Sequence, residues 1–338
     1  MLLPALCICG AICNLRAAEG QEEELVTPYR VPRIALVFGN SHYLDTNIDY
    51  LPNATHDALL MGAKLSSMGF DVVERLNVTR DEITNEITNL LNTQIRASNN
   101  NNARPIVVIY FAGHGFNDQG RGLVLPSDAS LNNLVDTSIS VDFFVDNLSV
   151  KSDLILLVDS CRTDFSDIAE PQDQRGWRGV GIAGAGGGNA VTTRASMPVS
   201  GLSEEQADTL PLALIGWAVP LGETALDSAA PKDANSPFSL GLSQYIGDKN
   251  DIARELDDVY GWVYYHTSHR QKTDRWGTAG HVFLRSAPSN EDEARQEWFD
   301  VLKSPDQQKV LNFKHTYPGS YYASPAGRWL AESKLNAN

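Results

Sequence analysis

Cysteine is scarce and poorly placed for a structural role. Of the four, Cys7, Cys9 and Cys13 fall at the start of the chain, and Cys161 alone remains in its body. Neither a disulfide framework nor a zinc site can be built from that distribution. Basic charge is also short, with 27 Lys and Arg against 42 Asp and Glu and a formal net charge of −15. Phosphate groups are bound by clustered Lys and Arg, so this balance excludes a general nucleic-acid or anionic-membrane binder and suits a cationic ligand. Long apolar runs are missing as well. The run from Leu2 to Leu15 is too short to span a bilayer, and no other segment is long enough.

That run matches the apolar region of a secretory signal, with Ala17-Ala18 near a cleavage point, although no basic residue precedes it. Residues 1–18 are therefore expected to be a signal peptide and 19–32 a polar, acidic linker. Cleavage would make the protein secreted or periplasmic; otherwise it is cytoplasmic.

What is present is ordinary globular composition, 42% hydrophobic and 20% charged, in a chain of 338 residues. From Arg33 short apolar runs alternate with amphipathic stretches, the pattern of βαβ units on a parallel sheet. The expected strands are Ile34–Phe38, Val72–Leu76, Ile106–Phe111, Leu154–Val158, Leu212–Val219 and His281–Leu284. Their near-continuous apolarity suits strands covered on both faces. Thr79 to Glu82 reads as a capping box, and Ser236-Pro237 as a capping hydroxyl before a proline in the first helical turn. A further helix is expected from Ile252 through Val263. Residues 162–210 read as a long, polar, glycine-rich loop carrying Arg175, Arg178 and Arg194. Residues 289–338 read as a small helical segment turning at Tyr317-Pro318-Gly319.

Chemistry-bearing residues gather at two strand ends. Ile106–Phe111 stops at Ala112-Gly113-His114-Gly115, and Leu154–Val158 stops at Asp159-Ser160-Cys161-Arg162. In an open parallel sheet ligands bind beyond the carboxyl ends of the strands. The 47 residues separating His114 from Cys161 fit one strand–helix–strand unit, so the two are expected on adjacent strands. An imidazole beside a thiol makes it a nucleophile. Glycines on both sides of His114 allow close backbone approach and expose amides to an oxyanion.

The sequence resembles the caspase-like cysteine peptidases, the clan of metacaspases and paracaspases, and in particular their bacterial members. The resemblance runs from Arg33 to about Ser286. It includes Ala35-Leu-Val-Phe-Gly-Asn-Ser-His-Tyr43, Asn53-Ala-Thr-His-Asp57-Ala58, Tyr110-Phe-Ala-Gly-His-Gly115, Val158-Asp-Ser-Cys-Arg162, Trp217 to Ala225, Ser236-Pro-Phe-Ser239 and Gln271 to Trp276. It implies a caspase-like, open, mostly parallel six-stranded α/β sheet with helices on both faces, in a peptidase domain over 33–288. It further implies His114 and Cys161 as a catalytic dyad forming a thioester, and the amides of Gly115 and Cys161 as oxyanion donors.

In metacaspases and paracaspases, acidic residues matching Asp57 and Asp159 line a pocket for arginine or lysine. A pair of carboxylates suits the planar guanidinium fork better than an ammonium, so Arg is expected over Lys. Glu223 is a further substrate-binding candidate, without a clean match. Convergence of Asp57 and Asp159 is expected to require their strands to be neighbours in the sheet. Peptides or proteins with exposed Arg or Lys are the expected partners. No cofactor is implied; some metacaspases need calcium, but no oxygen-ligand loop of recognisable spacing appears. The alternatives are a catalytically silent module holding basic peptides and a different cysteine hydrolase on a doubly wound sheet. The sequons at Asn53, Asn77 and Asn147 read as chance matches.

Overall fold

A computed structural model describes residues 31–100, 104–164, 213–230, 233–248, 250–279, 282–285, 291–320, 322–323, 326–327 and 329–330. The expected signal peptide, nearly all of the linker, and the loop with Arg175, Arg178 and Arg194 lie outside these residues.

The apolar runs form the central sheet: β1 (Arg33–Gly39), β2 (Asp71–Leu76), β3 (Ile106–Ala112), β7 (Asp153–Asp159), β8 (Ala213–Trp217) and β9 (Asp274–Gly277). Their order is β2-β1-β3-β7-β8-β9. The first five run parallel, and β9 runs antiparallel along β8. Between β3 and β7 the chain makes a second, three-stranded sheet of β4 (Gly115–Asp118), β5 (Arg121–Val124) and β6 (Ile139–Ser140). Its hairpin turns through Gln119 and Gly120, both at positive φ (50° and 86°), as a two-residue loop with a native strand twist requires.

Helices cover both faces. They are α1 (Ala54–Ser67), α2 (Arg80–Leu90), α3 (Val141–Leu148), α4 (Pro237–Tyr245) and α5 (Ile252–His266). Side chains alternate across a strand, so each central strand feeds two cores. Val37, Val108, Tyr110, Ile155 and Leu157 pack with Ala58, Met61 and Leu65 of α1, Phe238 and Leu242 of α4, and Val259 of α5. Leu36, Phe38, Ile109, Phe111, Leu156 and Val158 pack on the other face with Ile83 and Ile87 of α2 and Phe144 of α3. The C-terminal segment adds α6 (Glu291–Lys303) and α7 (Gln307–Thr316) around a cluster of Trp298, Val310 and Phe313.

The sixth strand departs from expectation: it is Asp274–Gly277, not His281–Leu284. Val282 and Leu284 are apolar because they are buried in the core shared by α1, α4 and α5, and the Val282 carbonyl accepts from Ile252 N at the start of α5. The true strand is polar because it is an edge, mostly exposed and charged, which is how sheets blunt their edges.

Candidate active site

The site stands on the register between β3 and β7. Ala112 pairs with Asp159, the last pair of the two strands, so His114 and Cys161 each leave the sheet two residues further on. Gly113 N donates to Asp159 O at 3.3 Å across this gap. Gly115 follows at the start of β4, and a Cβ there would come within 2.5 Å of the Ser160 hydroxyl and 2.9 Å of the Leu123 carbonyl oxygen, so a glycine lets the strand lie this close to both. Both expected oxyanion amides, Gly115 and Cys161, belong to these facing segments.

His114 is fully buried and held on two sides. Its backbone N–H donates to Tyr43 Oη at 2.9 Å, and its Nε2 lies 2.8 Å from the Asp49 carbonyl oxygen. A carbonyl only accepts, so Nε2 carries the proton and Nδ1 is the acceptor nitrogen. The loop delivering Tyr43 and Asp49 is itself pinned: Leu44 N donates to Ser127 O, Leu51 N to Ser41 O, and Asn77 Oδ1 accepts from Ser41 N and His42 N.

Cys161 is also buried, and its Sγ accepts the backbone N–H of Ala225 at 3.1 Å. Its neighbour Arg162 fixes the segment behind it. Arg162 N donates to Glu223 O at 2.9 Å, its guanidinium lies 4.1 Å over the Trp217 ring, and Nη1 donates to Asp274 Oδ2 at 3.2 Å. Burial lowers the pKa of this guanidinium, opposed by the Asp274 carboxylate.

Asp57 and Asp159 come together, although not by the route expected. β3 separates β1 from β7, so their strands are not neighbours. The two aspartates converge because α1 and α4 pack side by side on one face of the sheet. Gly39 at the end of β1 lets α1 lie close on the strand, since a Cβ there would sit 2.6 Å from Ala58 Cβ of α1. Asp57 Oδ1 accepts from Ser236 N at 2.8 Å, from Asn235 Nδ2 at 3.0 Å and from Ser239 Oγ. Asp159 Oδ2 accepts from Tyr110 Oη at 2.9 Å and from Ser236 Oγ at 2.5 Å. Glu223 does not join them: its side chain is exposed, and its backbone carbonyl holds Arg162. Asn53, in one of the sequons, is buried with Nδ2 donating to Asp227 O at 2.8 Å and Asp233 O at 3.2 Å.

Four features of this site are not marked by residue type or spacing. The Asp49 carbonyl and the Ala225 amide are backbone atoms, which any residue type supplies. Tyr43 stood in a motif without a role. Ser236 read as a helix cap, and its spacing carries no sign of contacts to both aspartates.

Register, fold and the Gly113-His114-Gly115 and Asp159-Ser160-Cys161 strand ends together describe a domain of caspase type. The family model described as "Caspase domain" matches residues 32–276, and the chain belongs to that family, whose fold is that of cysteine peptidases. A search of the curated proteins found no match. Among solved structures, a protein from Geobacter sulfurreducens is 17% identical, with TM-score 0.49, over 76% of this chain and 98% of its own. Caspase-1 from Spodoptera frugiperda is 16% identical, with TM-score 0.48, over 77% of this chain and 94% of its own. Among the described residues, no helix is long and apolar enough to cross a membrane.

Proposed function

We propose that the protein is a cysteine endopeptidase cleaving after basic residues, Arg before Lys, with His114 and Cys161 as its dyad. The observation that supports this reading is the pair Ala112–Asp159: His114 and Cys161 each follow two residues after the last paired positions of two neighbouring strands. Nδ1 of His114 accepts the thiol proton, and the thiolate attacks the substrate carbonyl. The amides of Gly115 and Cys161 then receive the developing oxyanion. The imidazolium returns its proton to the leaving amine, giving a thioester. Water, deprotonated by the same nitrogen, releases the acid and restores the thiol. The Asp49 carbonyl keeps the ring in the tautomer that these steps need.

The buried pair Asp57 and Asp159 supports a pocket for a guanidinium, and hydroxyl and amide donors orient both carboxylates. Peptides with Arg, Lys, Asp or Leu before the scissile bond, in one flanking sequence, test the reading. Arg should be cleaved best, and Cys161→Ala and His114→Ala should each abolish hydrolysis in a folded protein. Residues acting as a unit do not add, so the double variant should match either single one. Preference for Asp, or equal cleavage of all four, would overturn the pocket. Substantial turnover by Cys161→Ala would overturn the mechanism, and binding of basic peptides without any turnover by the wild type would favour the silent module.

A further inference from the structure

Ser236 makes more contacts than a helix cap requires. Its Oγ accepts from Ser239 N at 2.9 Å, which closes the cap of α4 and is all that an N-cap serine needs to do. The hydroxyl proton then goes to Asp159 Oδ2 at 2.5 Å, while the backbone N–H of the same residue goes to Asp57 Oδ1 at 2.8 Å. One turn later Ser239 Oγ donates to that same Asp57 oxygen. The three elements involved are α1, β7 and α4, far apart in the chain, and Asp57, Asp159, Ser236 and Ser239 are all buried. One residue therefore spans the gap between the two carboxylates and holds both.

We infer that Ser236 is a positioning residue for the choice of Arg over Lys, an assignment that rests on the basic-pocket reading above. A guanidinium presents a rigid fork of donors, and meeting two carboxylates at once requires those carboxylates at a fixed separation. An ammonium is a point charge with three rotatable donors and tolerates a looser pair. Releasing Asp159 from the Ser236 hydroxyl thus costs the fork more than the point charge. It removes neither carboxylate from the pocket. Selectivity falls while attraction to cations in general persists.

The test must separate this role from capping. Ser236→Gly keeps the backbone N–H toward Asp57 and remains a serviceable cap, but removes the hydroxyl. Ser236→Thr keeps the hydroxyl. Affinities for matched peptides ending in Arg or Lys are read by calorimetry in the full-length chain carrying Cys161→Ala, so the answer does not depend on turnover. Ser236→Gly should lower affinity for the Arg peptide about tenfold, the scale of one hydrogen bond to a charged group, and that for the Lys peptide less. The Arg-to-Lys ratio should fall several-fold, and Ser236→Thr should restore it. An unchanged ratio in Ser236→Gly, or an equal loss on both peptides, overturns the assignment and leaves Ser236 a cap. Asp159→Asn is the control for the underlying reading. If it abolishes the Arg preference while Ser236→Gly does not alter it, the pocket stands and only the role of Ser236 falls. If Asp159→Asn keeps the preference, or the parent shows none, the pocket and this inference fall together.

Discussion

Strand β7 carries a buried aspartate at each end, and the protein treats the two in opposite ways. Asp153, where the strand begins, meets two guanidinium groups: Arg104 Nε at 2.6 Å on one oxygen and Arg295 of α6 on the other. Arg104 spends its remaining donors on the carbonyls of Ser149, Val150 and Ser152, and Arg295 Nη1 donates to Arg104 O. The carboxylate is flanked by two cations there, and the C-terminal helical segment is fastened to the domain by the same contacts. Asp159, where the strand ends, is oriented by the hydroxyls of Tyr110 and Ser236. A guanidinium neutralises a carboxylate, whereas a hydroxyl aims it. The first arrangement ties two parts of the fold together, and the second fixes the direction of a carboxylate.

Neutralising each aspartate in turn should therefore break different things. Asp159→Asn should lower kcat/KM on Arg peptides by the equivalent of about 2–5 kcal/mol, the scale for losing one partner of a desolvated charge pair. Its effect on unfolding should be small. Asp153→Asn leaves two buried guanidinium groups facing a neutral amide and should cost about 3–5 kcal/mol of stability. The surviving folded fraction should keep its kcat/KM. Urea titrations and steady-state kinetics on both variants decide the matter, and a large stability loss in Asp159→Asn with no kinetic change would invert the comparison.

A second carboxylate at the strand-start end sharpens the contrast. Glu255 is buried in the first turn of α5, near the last turn of α1, with Oε2 accepting from Gly247 N at 2.8 Å. Burial pushes its carboxyl up to about 7 from 4.5, against backbone hydrogen bonds from Gly247 and Asp248; the Asp248 charge adds to the rise and the Lys64 charge opposes it. Between these two values the native state holds a proton that the unfolded chain has released. The contribution of Glu255 to stability is then fully present below about pH 4.5, declines as pH rises toward 7, and is gone above it, a loss of about 3 kcal/mol. Glu255→Gln should remove this component. The stability difference between variant and wild type should grow in the variant's favour from pH 5 to pH 8; a constant difference would show that Glu255 does not titrate in this range.

How much of this was legible in the sequence depends on what kind of atom carries it. β1, β3, β7 and β8 are buried on both faces, so their apolar runs announced them. β9 did not announce itself, because an edge strand written Asp274-Arg-Trp-Gly277 is mostly exposed and has only four residues. The β4–β5 hairpin was too short to stand out. His114 and Cys161 drew notice as polar residues ending apolar strands, and Asp57 and Asp159 through family resemblance. Backbone partners such as the Asp49 carbonyl leave no trace in residue type. The expectation that convergence of the aspartates needs adjacent strands failed because it considered the sheet alone; α1 and α4 reach across β3 on one face, a consequence of layer packing that no local pattern encodes.

Two helix caps that read alike in sequence give the finest test. Thr79 and Ser236 were both recognised as capping hydroxyls, and both lie near the strand ends that carry the site. Thr79 does only what its spacing foretold. Its Oγ1 accepts from Glu82 N at 3.3 Å, and Glu82 Oε2 accepts from Thr79 N at 2.8 Å, a closed and exposed capping box. Thr79→Ala should cost about 1 kcal/mol of stability, the usual value of an N-cap, and leave the Arg-to-Lys ratio untouched. Ser236→Gly should do the reverse, because glycine caps almost as well but donates nothing to Asp159. Denaturation midpoints and the two peptide affinities, measured on both variants, separate the cases. If Thr79→Ala erodes selectivity as much as Ser236→Gly does, the pocket responds to any loosening of this end of the sheet, and the distinction between an aimed and a neutralised aspartate loses its structural basis.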